Sequence, residues 1–175
     1  MKRTLLKFYT LQQVTGTHEA SVIILTDELK QRALSVVCDQ AVAQQFAIRA
    51  NNEMSRLMLP EALLQLIGHH YEMLIVGLYD GQYQVLLMDL DSNHSVRIRL
   101  SDAVLLSVIS DFPLYIEDRL MQQQSAPFDE NTNQVAIPIN TMDAESLQSA
   151  LERAVEAENY ELASHLRDEI KSRKS

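Results

Sequence analysis

A chain of 175 residues is the size of one ordinary domain with room for an appendage, and its 46% apolar residues suffice for a core. The formal net charge of -9 excludes attraction of nucleic acid by the overall field, which leaves only local basic pairs for that purpose. No stretch approaches the roughly 18 to 20 unbroken apolar residues of a membrane helix, and a lone cysteine, Cys38, excludes an internal disulfide and a cysteine-built metal cage.

The opening MKRTLLKFYTLQQV starts basic, but Lys7, Gln12 and Gln13 interrupt its apolar residues, so it lacks the continuous core of a signal peptide. A cytoplasmic protein without membrane contact is the expectation. Residues 5–14 read as a strand, with a helix as the alternative, and Thr15 to His18 as a turn. Residues 20–26 (ASVIILT) form a continuous β-branched run, as a buried strand would. Asp27, Glu28 and Lys30 turn the chain into a second short strand, 33–38, which makes a hairpin. Asp39 then caps a helix over 40–50, with Val42 and Phe46 on one face.

Pro60 suits the first turn of another helix, whose core face is Leu63, Leu64 and Ile67, which Gly68 ends and His69-His70 follows. EMLIVGLY-DG-QYQVLLMDL is a hairpin signature, because the two-residue Asp80-Gly81 turn needs positive φ. After a turn at Asp91-Ser92-Asn93, Val96, Ile98 and Leu100 alternate with Arg97 and Arg99 over a third strand. Ser101 reads as the N-cap of the next helix, and Asp102 lies in its first turn, where a carboxylate favours the helix dipole. Residues 114–116 are a short strand.

From Gln122 to Asn140 the chain turns polar and carries two prolines, as in a linker that is either free or docked in part. Residues 143–157 and 160–173 read as two helices with a break at Glu158-Asn159. Leu147, Leu151, Ala154 and Val155 share one face, and Leu162, Leu166 and Ile170 another. A pair this small buries too little apolar surface to be secure alone, so it needs the body, a second copy or another protein. The architecture expected is α+β: an antiparallel or mixed sheet with packed helices at 1–122, a linker at 123–142, and an antiparallel helical hairpin at 143–175.

LERAVEAENYELASHLRDEIKSRK resembles the UVR motif of bacterial excision-repair proteins and of some Clp-associated proteins. The matching positions are Leu151, the turn Glu158-Asn159-Tyr160-Glu161, Ala163, and Leu166-Arg167-Asp168-Glu169-Ile170. The resemblance implies association with another such helix pair through Leu151, Tyr160, Leu162, Leu166 and Ile170, on a UVR-bearing protein or on a second copy. Arg97-Ile98-Arg99-Leu100-Ser101-Asp102-Ala103-Val104 and Phe112-Pro113-Leu114-Tyr115-Ile116 resemble the bifunctional nuclease (BFN) domain family. That resemblance implies an α+β fold, a homo-oligomer, and the DNase and RNase activity of some members. The family's second helix opens with Arg-Pro-x-Thr-His-Asp, whereas residues 56–62 here carry neither His nor Asp.

Phosphodiester hydrolysis calls for metal-bound carboxylates or a positioned acid and base. Asp102 is the leading catalytic carboxylate, with Asp89 and Asp91 near the strand that holds Arg97. Arg97 and Arg99 would face a nucleic-acid phosphate, and magnesium or manganese is the cofactor that goes with this reading. His18, His69, His70, His94 and His165 show no zinc-ligand spacing. Two functions follow. One is a metal-dependent nuclease; the other is a non-catalytic oligomeric module that displays UVR hairpins to a partner.

Overall fold

The computed structural model describes residues 2–13, 20–50, 58–130, 139, 142 and 144–173. Among them, eight strands form one sheet in the order β6-β5-β4-β7-β1-β2-β3-β8. The strands are β1 (Arg3–Gln13), β2 (Ala20–Asp27), β3 (Arg32–Asp39), β4 (Tyr71–Tyr79), β5 (Gln82–Asp89), β6 (Ser95–Ile98), β7 (Leu114–Glu117) and β8 (Ala126–Pro127). Neighbours are antiparallel except β4 and β7, which run parallel because β5, β6 and a helix intervene in the chain. The helices are α1 (Gln40–Ala50), α2 (Leu59–Leu64), α3 (Leu100–Ile109), α4 (Asp118–Gln124), α5 (Ala144–Glu156) and α6 (Tyr160–Arg173). No described helix is long and apolar enough to cross a membrane.

The continuous run of β2 has the expected cause. Ile23 and Leu25 enter the main core, while Val22 and Ile24 face a second cluster with Ala33 and Phe128 on the other side of the sheet. Helices α1 and α3 cover the main-core side. Asp39 caps α1 by accepting the Val42 N–H at 2.8 Å, and buried Phe46 stacks on Phe8 with centroids 5.2 Å apart. The Asp80-Gly81 turn takes φ of 49° and 73°, as a tight hairpin turn requires.

Several expectations change. Helix α3 begins at Leu100, and its N-cap is Arg99, not Ser101. Leu100 is buried in the core, so the chain turns helical as soon as β6 ends, and Ser101 falls inside the first turn. Helix α2 stops at Leu64 with Gln65 as its C-cap, so Gly68 does not end it and His69-His70 lies in the loop before β4. Only Leu64 of its expected core face packs on the core; Leu63 and Ile67 are exposed, as are Leu59 and Leu66. Six residues make too short a helix to turn three apolar positions onto one neighbour. The polar stretch from Gln122 follows the docked alternative at its start: α4 runs on to Gln124 and Ala126–Pro127 pairs with the edge of β3. The turn at Thr15–His18, the departing positions Arg56 and Leu57, and most of the later linker lie outside the described residues.

The two terminal helices do form an antiparallel pair, broken at Glu158 with φ of 55°. Leu147, Ala154, Ala163 and Leu166 are buried between them, and Ile139, Met142, Ala150, Leu151 and Ile170 pack around that centre. Val155 and Leu162 are exposed, against the expectation that they share the seam. Steps of four residues rotate about 40° past a full turn, so Leu162 swings away and Ala163 takes its place. Leu166 is 1% exposed and is covered within the hairpin, so it needs no outside cover.

Candidate functional site

The residues singled out in the body fall into two groups at opposite ends of β6. Arg97 lies exposed on this edge strand. Arg99 follows it at the entry to α3, where its guanidinium grips Asp102 with two hydrogen bonds, Nε to Oδ2 at 2.8 Å and Nη2 to Oδ1 at 3.0 Å. The bond to Asp102, helped by the charges of Asp102 and Asp39, raises the Arg99 pKa above its ordinary value. Arg99 and Asp102 line a surface groove of about 170 Å³ with Asp39, Gln45, Ser101 and Leu105. Two helix starts thus meet at the groove: α1 behind its cap Asp39, and α3 behind Arg99.

Asp89 and Asp91 are at the other end, in the turn between β5 and β6. Asp89 Oδ1 accepts the N–H groups of Asp91 and Ser92 at 2.9 and 3.3 Å, and Oδ2 accepts the Ser92 hydroxyl at 2.7 Å. These bonds, the hydroxyl first, hold the Asp89 carboxyl below its ordinary pKa. Asp91 pairs with His70 Nδ1 at 2.9 Å, and the resulting bond and charge raise the His70 pKa. Both partners are well exposed. Five residue steps lead from His94 in this turn to Arg99, about 16 Å of extended chain. Asp89 and Asp91 therefore do not join Asp102 as one donor set, and no group of three or more His, Cys, Asp or Glu side chains among the described residues could hold a metal ion.

Of the other candidates, His94 lies in the β5–β6 turn, His165 is exposed on α6, and His18 lies outside the described residues. Cys38 is buried, which pushes its thiol pKa up to about 11. Asp39 was legible as a cap but not as a neighbour of Arg99; sixty residues separate them in sequence, so no local pattern links them.

On the hairpin, Leu166 is buried, Leu151 and Ile170 are half-buried, and Tyr160 and Leu162 are exposed beside Val155. The exposed three lie within four residues of Glu158, at the closed end.

Residues 23–129 match the family model of the bifunctional nuclease domain, and residues 144–174 match the UvrB/uvrC motif. The first match runs from within β2 to just past β8 and so takes in the groove and most of the sheet. No curated protein matches the chain. With more than half its length inside the first match, the chain belongs to the bifunctional nuclease domain family and carries a UvrB/uvrC motif after that domain.

Proposed function

We propose that the chain acts as an interaction module, in which the sheet-based body is the platform and the terminal hairpin captures a second helix pair from another copy or from another protein with the motif. One observation carries this reading. The hairpin closes its own small core yet leaves Val155, Tyr160 and Leu162 each exposed within four residues of its closed end. Apolar and aromatic side chains left in solvent on an otherwise polar helix pair are candidates for contact with a partner. A tagged second copy, or a tagged motif-bearing excision-repair protein, should retain the wild-type chain on beads. Tyr160→Ser with Leu162→Ser should abolish that retention without unfolding the hairpin, because neither side chain is in its core. Capture of wild type by neither bait, or equal capture of the double variant, rejects the reading.

A second reading, phosphodiester cleavage, is favoured by the groove. A phosphate entering it competes with Asp102 for the Arg99 guanidinium, and Arg97 on the adjacent edge adds a second positive charge. Asp102, once displaced, accepts a proton from a water whose oxygen attacks phosphorus, and the departing sugar oxygen takes up a proton from solvent. Labelled DNA and RNA, incubated with magnesium or manganese, should be cut by wild type and about 100-fold or more slowly by Asp102→Asn. Equal rates for the two proteins, or no cutting by wild type, would sink the catalytic role of Asp102.

A further inference from the structure

The hairpin and the body have separate apolar cores. Among the described residues, neither α5 nor α6 packs broadly on any element of the body. One junction does bring them together. Arg173 closes α6 and donates from Nη1 to the Met142 carbonyl at 2.6 Å, while its Nε donates to Glu169 at 2.8 Å. Its side chain is only 14% exposed. The surface against it is the Asp80-Gly81 turn. A Cβ placed on Gly81 would lie 3.1 Å from Arg173 Nη1 and 3.1 Å from the Met142 oxygen. Glycine thus serves twice here, giving the turn its positive φ and letting the hairpin come this close.

We propose that Arg173, the Met142 carbonyl and Gly81 form a latch that seats the open end of the hairpin on the β4–β5 turn and fixes the hairpin's direction. The helices are about 20 Å long, so the closed end with Val155, Tyr160 and Leu162 stands that far from the latch and projects to a partner. The purpose of the latch rests on the proposed capture of a second helix pair. Among the described residues the latch adds polar contacts and no shared apolar cluster, so it opens without unfolding either core.

Spin labels on Glu28→Cys and Glu161→Cys, both exposed positions, would measure the angle between the units as a distance. Cys38 is 7% exposed and stays unlabelled. Pulsed electron resonance on the full chain should give one narrow distance. Arg173→Met keeps the side chain's apolar stem and removes its donors, and it should lose that single peak to a broad spread. Gly81→Asn tolerates positive φ but places a Cβ in the junction, and it should broaden the distance as well. A broad distribution in wild type, or a narrow one in Arg173→Met, overturns the latch. A narrow wild-type distance combined with no capture on beads rejects the interaction reading and leaves the latch standing.

Discussion

Arg99 and Asp102 show what a short polar motif can and cannot announce. In sequence Arg99 reads as a strand residue facing a phosphate, whereas at the start of α3 its spacing of three from Asp102 lets the two form a two-pronged ion pair. The helix register does not follow, because Leu100 enters the core and pulls the first helical residue forward past Ser101. The pair at His70 and Asp91 belongs to the same scale but was not legible. Its members lie 21 residues apart and meet only because β4 and β5 pair in register, with Tyr71 opposite Asp89. This contact gives a pH dependence. The folded His70 pKa is raised, so the pair contributes stability that is fully present below the unfolded histidine value and lost as pH rises through the folded one. A titration of the His70 ring by nuclear magnetic resonance should have its midpoint above that of ordinary histidine. Asp91→Asn should return it to the ordinary range; an unmoved midpoint would show that Asp91 is not the cause.

Among the elements, the strands were the most legible and the short helices the least. The alternation expected over β6 holds only in part, because Val96 is exposed and Leu100 already opens α3. The β2 run and the Asp80-Gly81 hairpin each encode their state in a few adjacent residues. Helix α2 does not, since its apolar residues fit a core face that the fold leaves in solvent. The hairpin was legible as two helices, but which side chains lie inside was set by the facing helix. Leu166 is the best probe of that interior. Leu166→Ala should destabilise the hairpin by about 2–5 kcal/mol, the usual range for a buried leucine. The loss should stay confined there, because the two cores share no residue. Amide hydrogen exchange should then speed up in α5 and α6 and stay unchanged in β1 to β7. Faster exchange throughout the sheet would mean that the two cores unfold as one.

For the molecule as a whole, local pattern determined the α+β class, the helical pair at the C-terminus and the family resemblance. Hydrophobic period, turn residues and caps act over a few residues and so survive in the linear order. Only the tertiary structure decided that Asp89 and Asp91 stand apart from Asp102, that Asp39 faces Arg99, and that Arg173 rests against Gly81. Those relations join positions far apart in sequence through strand order and register. A sheet that places β7 between β1 and β4 fixes them by long-range pairing, which no adjacent residues record.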